Sequence, residues 1–206
     1  NAPFGIGIRG YGRAVGNRCL DNAELMLEFD IRIKASFIDN SVGIKTRHFI
    51  SDDMSTSDLA VQAAQQALQS ARISVQDLDR IIVATSTPDY LSPSTACVVQ
   101  FKLGGRGFPA HDICAACSGF IYAVDQAIRY IATSDENVLV IGVDVRSRTL
   151  DMQNKRTAFL YGDGAGAVVI SRNQKSQRGF IASTLFADGV GHDAVYVPSV
   201  GYPRTP

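Results

Sequence analysis

The chain has 206 residues, 46% of them hydrophobic, and its 20 basic residues balance its 20 acidic ones. This length and composition suffice for a substantial core in one domain or in two small ones. The balanced charge provides no basic footprint for nucleic acid or for an anionic membrane surface, and no apolar run reaches the length of a membrane span. We therefore expect neither nucleic acid nor a membrane as a partner.

The first part of the chain is predicted to alternate strands and helices. Phe4–Val15 is predicted to be a strand, and Asp21–Phe29 a short helix that its first aspartate caps. Ser57–Ala71 has helical periodicity, with Ser57 or Asp58 as the cap and an alanine-rich face that suggests close packing on a sheet. Arg80–Ser86 is an apolar run without alternation, which is typical of a buried strand.

The same alternation continues to the end of the chain. Ser94–Leu103 is predicted to be a helix that ends near a pair of glycines, and a further helix starts at Phe120 and runs through Thr133. Three more apolar runs predict strands at Asn137–Val145, Ala165–Ser171 and Phe180–Phe186. Tyr202–Pro206 is typical of a loop in the middle of a longer protein. Strands that alternate with helices indicate an α/β fold with a mixed, largely covered sheet.

Cys117 is the candidate catalytic residue. It lies between a short apolar run and the helical pattern that begins at Phe120, so we expect it at or just before a helix N-terminus. Unpaired N–H groups and the positive end of the helix macrodipole favour a thiolate there, and the small neighbouring residues leave room for a substrate carbonyl. On this local pattern alone, a cysteine that merely fills space in the core is the alternative.

Cys114 and Cys117 also form a C-x-x-C pair, which suggests a redox couple or half of a zinc site. We reject zinc, and expect no metal, because no second pair or histidine cluster accompanies these cysteines. A redox couple is disfavoured because Cys114 falls in the apolar run and is expected to point into the core. Reduced thiols favour a cytoplasmic location.

Four segments in a fixed order resemble the β-ketoacyl-acyl carrier protein synthase III enzymes, which are thiolase-like condensing enzymes. The segments are Gly43–His48 (GIKTRH), Ile81–Thr87 with Ser92–Cys97 after it, the nucleophile run Asp112–Phe120, and Tyr161–Ala167 (YGDGAGA). Four matches in order are far more specific than any one of them, and together they cover nearly the whole chain.

This resemblance implies an α/β, thiolase-like half-fold, with a mixed and mostly buried β-sheet flanked by helices. Residues 1–206 would form the N-terminal domain that carries the nucleophile, and the C-terminal half of the family fold would be absent from this chain. In the family a histidine and an asparagine of that half hydrogen-bond the thioester oxygen. Their Pro-His-Gln-Ala-Asn and Gly-Asn-Thr motifs do not occur here. We therefore expect a fragment, an enzyme of which part is unseen, or one subunit of a split pair, unable to complete the condensation alone.

The histidines and the glycine-rich segment are expected to have structural roles. His48, His111 and His192 lie in none of the family's catalytic settings, so each is interpreted as an ordinary polar residue. Gly162–Gly166 lacks the G-x-G-x-x-G spacing of a phosphate-binding loop. We predict a tight turn that lets backbone pass close to the active site, with Asp163 as a structural hydrogen-bonding carboxylate.

The resemblance also assigns residues that bind coenzyme A, and this chain departs from the usual pattern at each of them. Phe37 stands where many members have a tryptophan that stacks on the adenine, and Ser41 where they have an early arginine. Lys155, with Arg156 beside it, stands where a second arginine brackets the adenine, and lysine lacks the planar stacking of arginine. These departures weaken an acetyl-coenzyme A assignment and leave open a different donor, such as an acyl group carried on a protein.

Ser92 stands where many members place a bulky residue that reaches into the primer pocket of the dimer mate. A small serine leaves more room, so we predict tolerance of primers longer than acetyl. The alternative is that Ser92 is only a helix-start residue beside Pro93.

The function that the resemblance implies is acyl transfer from a coenzyme A or carrier-protein thioester onto Cys117, followed by decarboxylative Claisen condensation with malonyl-acyl carrier protein. This would place the protein in fatty-acid or polyketide-type biosynthesis, as a homodimer that uses acyl-CoA and acyl carrier protein and needs no metal or redox cofactor. Two alternatives stay open: a secondary-metabolism acyltransferase with a different acceptor, and a non-catalytic subunit that shapes a partner's pocket.

Overall fold

The computed structural model describes residues 5–173 and 179–197, along which strands and helices alternate. The strands are β1 (Ile6–Val15), β2 (Arg18–Asp21), β3 (Thr46–Phe49), β4 (Arg80–Ala84), β5 (Ala110–Ile113), β6 (Asn137–Val145) and β7 (Asp163–Arg172). The helices are α1 (Asn22–Glu28), α2 (Ala35–Phe37), α3 (Thr56–Ala71), α4 (Thr95–Leu103) and α5 (Gly119–Thr133). A π-helical turn follows α2 at Ile38–Val42, and short 3₁₀ turns lie at Val75–Asp77, Ala116–Ser118, Arg146–Arg148 and Gly189–Gly191.

Five of these strands form a central sheet in the order β1–β7–β6–β4–β5. The strands β5, β4 and β6 run parallel to one another, while β7 is antiparallel to both β6 and β1. The predicted mixed sheet is therefore confirmed. The strands β2 and β3 pair separately as an antiparallel ribbon that the sequence did not predict, because each has only four residues and no apolar run.

Helices cover both faces of the central sheet. Ile81 and Val83 of β4 pack into the core under α3 and α4, whereas the alternate residue Ile82 packs under α5. Successive side chains of a strand point to opposite faces, so a strand that is covered on both sides needs apolar residues throughout. This explains the run without alternation and confirms the mostly buried sheet flanked by helices.

The alanine-rich face of α3 lies directly on β1, as its composition predicts. Ala63, Ala67 and Ala71 are fully or nearly fully buried, and β1 presents Gly10 and Gly12 beneath them. A Cβ placed on Gly12 would lie 2.6 Å from the backbone nitrogen of Ala67, which is closer than real Cβ atoms come. Glycine and alanine together let the helix backbone approach the strand closely.

The sequence predicted a cap for two helices, and the structure confirms the one of α1 and corrects the one of α3. Asp21 caps α1 and Ser94 caps α4 through their side chains. The cap of α3 is Ser55, so the prediction of Ser57 or Asp58 is wrong. Asp58 instead completes a capping box, because its carboxylate accepts the N–H of Ser55 at 2.9 Å.

The predicted strand Phe180–Phe186 does not form. The N–H of Phe180 bonds to the carbonyl of Ile6 at 2.7 Å, but the residues that follow join no ladder in the described part of the chain, and Ile181 is 79% exposed. An apolar run becomes a strand only where a neighbouring strand offers its N–H and C=O groups. Phe4, at the start of the first predicted strand, and Tyr202–Pro206 lie outside the described residues.

A third, smaller apolar cluster packs the β2–β3 ribbon, α1 and the π-helical turn after α2 against the segment before β7. We call it the satellite cluster, and its buried members are Leu20, Leu25, Ile31, Ile38, Phe49, Ala158 and Phe159. No helix in the described part of the chain combines the length and the apolar character needed to cross a bilayer.

Candidate active site

Cys117 opens onto a cavity of 380 Å³ at the carboxyl ends of the three parallel strands. Ala84 at the end of β4, Asp144 near the end of β6 and the turn that follows β5 all contribute to its wall. Ligands of open α/β sheets bind at this edge, because the loops that leave the strands there can diverge around a crevice. The cavity therefore lies where the topology favours a site.

The backbone around Cys117 is shaped by a sharp turn from strand to helix. After β5, Ala116 has a φ of 45°, in the left-handed region that alanine rarely adopts. The 3₁₀ turn Ala116–Ser118 leads directly into the 15-residue helix α5, and Cys117 is exposed. The prediction that Cys117 lies just before a helix is confirmed. Strain of this kind is typical of functional turns and costs about 1–3 kcal/mol.

Close packing fixes the start of α5 beside the cavity. A Cβ on Gly119 would lie 3.3 Å from the Cβ of Ala84, so only glycine fits comfortably between the helix and β4. Phe120 covers Gly142 of β6, where an added Cβ would lie 3.0 Å from its ring. The small residues at these positions let the turn that carries Cys117 sit tightly against the sheet.

Asp112 anchors the strand that leads to the turn. Its two carboxylate oxygens accept the backbone N–H groups of Thr95 and Ala96 at 2.6 and 2.7 Å, at the N-terminus of α4. The negative charge there also meets the positive end of the helix dipole. Sequence analysis placed Asp112 in the nucleophile run without a role, and the structure shows that it ties β5 to α4.

Asp144 lines the cavity, and the loop after β4 already satisfies one of its oxygens. That oxygen lies 2.9 Å from both the backbone nitrogen and the hydroxyl of Ser86, which donate to it, and at 3.3–3.4 Å from the hydroxyls of Thr85 and Thr87. Asp144 therefore holds the Thr85–Thr87 segment against β6.

Asp163 is the structural carboxylate that the sequence predicts. It is buried and accepts hydrogen bonds from the N–H of Ile50 at 2.8 Å and from the N–H and hydroxyl of Ser147 at 2.9 and 2.6 Å. The predicted tight turn at Gly162–Gly166 is wrong, because β7 starts at Asp163 and these residues are extended. The close approach occurs at Gly162, where a Cβ would lie 2.9 Å from the carbonyl oxygen of His48.

Arg146 and Tyr161 line the same cavity, and sequence analysis missed both. The guanidinium carbon of Arg146 lies 5.8 Å from the centre of the Tyr161 ring, which is within cation–π range. One sequence feature could have identified Arg146: it directly follows the strand β6, and residues that follow parallel strands face the crevice.

The histidines have the ordinary roles that were expected of them. His48 places its Nδ1 2.8 Å from the carbonyl oxygen of Gly16, and His111 contacts Gln126 and the edge of the Tyr130 ring. His192 is exposed. Among the described residues, no histidine lines the cavity of Cys117.

Cys114 is exposed, so the prediction that it points into the core is wrong. The strand β5 ends at Ile113, and Cys114 is therefore the first residue beyond the ladder rather than part of the buried run. Cys117 is exposed as well, and neither cysteine is in a disulfide.

The predicted nucleotide-binding residues lie in two segments that both contribute buried residues to the satellite cluster. Phe37 and Ser41 are exposed and lie on either side of Ile38, a buried member of that cluster. The exposed Lys155 and Arg156 lie shortly before two other members, Ala158 and Phe159. Two segments more than a hundred residues apart in sequence thus meet on one small core.

A buried arginine organises this region. Arg47 donates to Asn22 at 2.6 Å, and Asn22 donates in turn to Asp39 at 2.6 Å and to the carbonyl of Ile44 at 2.8 Å. Burial lowers the pKa of Arg47, with Asp21 and Asp39 opposing the shift, and its Nε has no hydrogen-bond partner among the described residues. This network fixes the π-helical turn that carries Ser41.

Ser92 lies on the exposed loop before α4 and is not part of the Cys117 cavity of its own chain. Its neighbours Tyr90 and Leu91 are exposed and line a different cavity, of 550 Å³, beside α3. A role for Ser92 in a primer pocket therefore requires a second copy of the chain.

Comparison with known proteins finds similarity to synthase III enzymes. A family model described as 3-oxoacyl-(acyl carrier protein) synthase III matches residues 111–189, which include Cys117, Arg146 and Tyr161. A curated β-ketoacyl-(acyl carrier protein) synthase III from Ehrlichia canis is 43% identical over 190 residues, which are 92% of this chain and 59% of that protein. This chain thus spans about three fifths of that relative's length.

Solved structures agree with this relationship. The 3-oxoacyl-(acyl carrier protein) synthase III of Aquifex aeolicus is 41% identical, with a TM-score of 0.78 over 83% of this chain and 55% of that one. The β-ketoacyl-(acyl carrier protein) synthase III of Thermus thermophilus is 36% identical, with a TM-score of 0.87 over 97% of this chain and 61% of that one. The thiolase-like fold predicted from the sequence is confirmed.

Proposed function

The chain belongs to the β-ketoacyl-acyl carrier protein synthase III family, and from this premise we propose that it supplies the nucleophile half of an acyl-transferring condensing enzyme. The observation that carries the proposal is the position of Cys117, exposed at a cavity, on a strained turn and at the start of a long helix. An exposed thiol in this setting is suited to nucleophilic attack rather than to filling a core.

In the first step the Cys117 thiolate attacks the carbonyl carbon of an acyl thioester. The bond between that carbon and the donor sulfur breaks, the donor leaves as a thiolate that takes up a proton, and the acyl group stays on Cys117. The backbone N–H of Cys117, within the Ala116–Ser118 turn, is the proposed donor to the developing oxyanion. The cavity of 380 Å³ gives the acyl group room beside the sulfur.

The second step joins this acyl group to the carbanion that malonyl-acyl carrier protein forms on losing carbon dioxide. In the family this step uses a histidine and an asparagine of a second half-fold, and no histidine of the described residues lines the cavity. We propose that residues 1–206 are the N-terminal, nucleophile-bearing domain and that condensation needs the second half.

The satellite cluster is the proposed platform for coenzyme A. Phe37 supplies an exposed aromatic face for the adenine, and Lys155 and Arg156 supply positive charge for its phosphates. Ser41 lies in the same surface, on the turn that the Arg47 network holds. The grouping of these residues around one small core supports a shared ligand.

A homodimer is the proposed assembly. The strand β5 is at the edge of the central sheet and pairs only with β4 in the described part of the chain, so its outer N–H and C=O groups are available to a second copy. The exposed Leu91, beside Ser92 on the loop before α4, adds apolar surface for a second copy. Such a pair would place Ser92 at the partner's primer pocket. The cytoplasmic location stays a prediction from the four unpaired cysteines.

The test is acylation of the intact protein that carries this chain. Wild type, Cys117→Ala and Cys114→Ala are incubated with a panel of acyl-coenzyme A thioesters, and the labelled residue is identified by peptide mass spectrometry. We expect wild type and Cys114→Ala to be acylated on Cys117, and Cys117→Ala to lose acyl transfer by about a thousandfold or more while it stays folded.

Three other results would contradict the proposal and favour a different function. Loss of activity in both cysteine variants would indicate the redox couple. Unchanged activity in Cys117→Ala would indicate a subunit that shapes a partner's pocket. Acylation without release of carbon dioxide from malonyl thioesters would indicate a different acceptor.

A further inference from the structure

Arg146 places a cationic side chain in the wall of the cavity that holds Cys117. It directly follows β6, is partly buried, and faces the same cavity as the nucleophile and Tyr161. An acyl group attached to Cys117 and extending along this wall would therefore meet a guanidinium. A simple alkyl primer has no polar atom that the guanidinium could bind.

The donors of Arg146 have no partner among the described residues. Its side chain makes no hydrogen bond and no ion pair there, and its one contact of note is the Tyr161 ring at 5.8 Å. Other arginines of the chain are engaged: Arg148 donates to the carbonyls of Ser51, Asp52 and Met54, and Arg80 pairs with Asp135 at 2.8 Å. A partly buried guanidinium that has no anionic partner is destabilised by its loss of water, and an anionic ligand would offset that cost.

Among the described residues, Asp144 is the one carboxylate in this cavity wall, and it does not pair with Arg146. No carboxylate oxygen of Asp144 lies within 4.0 Å of a guanidinium nitrogen of Arg146, so the two residues form no salt bridge. One oxygen of Asp144 is surrounded by the donors of Thr85, Ser86 and Thr87. Its negative charge is thus stabilised by the loop after β4, and the charge of Arg146 stays available to a ligand.

We propose that Arg146 binds a carboxylate at the far end of the acyl group, so that the preferred primers are monothioesters of dicarboxylic acids. The proposal rests on the function proposed above and names its substrate class. The transfer itself is unchanged: Cys117 displaces the donor thiolate, and the distal carboxylate is bound by Arg146 without reacting. Arginine suits this role because its planar fork matches the two oxygens of a carboxylate.

The phosphates of coenzyme A are a second source of anionic oxygens for the same guanidinium. The two sources make different demands. If Arg146 binds a phosphate, every coenzyme A thioester depends on it equally. If it binds the acyl carboxylate, only carboxylated primers depend on it, and the dependence persists with thioesters of N-acetylcysteamine, which carry no phosphate.

The experiment measures the rate of Cys117 acylation in the intact protein with matched pairs of primers. Succinyl is compared with 4-methylpentanoyl, and glutaryl with 5-methylhexanoyl, because an isopropyl group has the shape of a carboxylate without its charge. Each pair is offered both as coenzyme A and as N-acetylcysteamine thioesters. The variants are Arg146→Met, Arg146→Lys and, as a control, Arg106→Met, an exposed arginine at the opposite end of β5.

We expect wild type to prefer the carboxylated member of at least one pair with both carriers. Arg146→Met should lower the ratio of carboxylated to neutral primer by about 10- to 100-fold, the usual effect of losing a charged hydrogen bond. Arg146→Lys should retain part of the preference, and Arg106→Met all of it.

Two results overturn the inference without touching the proposed function. In one, neutral primers acylate Cys117 in wild type and Arg146→Met leaves the ratio unchanged. In the other, Arg146→Met slows all coenzyme A thioesters equally and leaves N-acetylcysteamine thioesters unaffected, which assigns the arginine to phosphate. Failure of every primer to acylate Cys117 would instead contradict the proposed function on which the inference rests.

Discussion

Two regions of this molecule are held together in different ways. The central sheet with α3, α4 and α5 is joined by buried aliphatic side chains, among them Ile81, Leu139 and Ile141 at 0% exposure. The satellite cluster is small, and a chain of polar contacts through Arg47, Asn22 and Asp39 completes it. The first kind of packing gives rigidity to the nucleophile, whereas the second positions residues on a surface.

This difference suits the two proposed tasks. A covalent nucleophile needs its turn held within fractions of an ångström, because small displacements of reacting atoms cost large factors in rate. The strained φ of Ala116 persists since β4, β6 and α5 surround that turn. A nucleotide-binding surface needs exposed side chains such as Phe37, and short elements on a small core provide them.

The largest expected effect tests the close packing of the first region. Gly12→Ala puts a Cβ 2.6 Å from the backbone of α3, which cannot move without shifting the whole helix. We expect destabilisation of about 1–3 kcal/mol or more, measured as the free energy of unfolding in urea.

The matched control is Gly166→Ala, on the strand paired with β1. Arg13 of β1 faces Gly166 in the register, and a Cβ on Gly166 meets nothing within 4 Å. We expect Gly166→Ala to be neutral or slightly stabilising, because alanine costs less conformational entropy than glycine in a strand. Equal stabilities for Gly12→Ala and Gly166→Ala would show that helix and strand are not in close contact.

A second prediction concerns the satellite cluster and the surface it presents. Arg47→Lys loses the branched donor that reaches Asn22 and the carbonyl of Asp21. The π-helical turn with Ser41 should loosen, which raises KM for coenzyme A thioesters by up to about tenfold, or about 1.4 kcal/mol. KM for N-acetylcysteamine thioesters should stay the same, since these carry no nucleotide.

Arg32→Lys is the control for this measurement. Arg32 lies in the same region, but its side chain is 80% exposed and its pairing with Asp30 is long, at 3.9 Å. We expect no change in either KM. If Arg47→Lys raised KM for both carriers alike, the satellite cluster would be a support for the catalytic turn and not a separate binding surface.

The central sheet and the satellite cluster also differ in how many of their helices and strands could be predicted from the sequence. Helical periods gave α3 and α5, and continuous apolar runs gave β4 and β6, within a few residues, because burial on a large core imposes both patterns. The ribbon β2–β3 and the turn after α2 carry no such period, since polar contacts between distant residues create them. The strand expected at Phe180–Phe186 failed for the opposite reason: it has the apolar run but no partner strand in the described part of the chain.

The same reasoning applies to the candidate site. Cys117 could be found from its local pattern and from the resemblance, because strand, small residues and helix are adjacent in sequence. Arg146 and Tyr161 carry weaker signals, a position directly after a strand and a place in a matched segment, because they join Cys117 only through the parallel order of β4, β5 and β6 and the return of the chain into β7. The exposure of Cys114 depended on the single residue at which β5 ends.

The smallest expected effect tests a second place where polar contacts join two parts of the chain, between α5 and the segment that begins at residue 179. A hydrogen bond from Arg129 lowers the pKa of Asp125, burial opposes this, and the hydroxyl of Ser183 adds a further hydrogen bond. The folded-state pKa is therefore below the unfolded value of about 3.9. Asp125 stabilises the fold fully above that value, and the contribution disappears as the pH falls through the lower folded pKa.

Asp125→Asn should accordingly cost about 1 kcal/mol or less at pH 7, because Arg129 is 71% exposed and solvent weakens the pair. The difference in unfolding free energy between wild type and variant should persist down to about pH 4 and then shrink, since both proteins lack the charge in acid. Urea unfolding at intervals between pH 7 and pH 3 measures it. A difference that is constant with pH, or that grows in acid, would mean that Asp125 acts through packing, and that the segment is joined to α5 as the central sheet is joined to its helices.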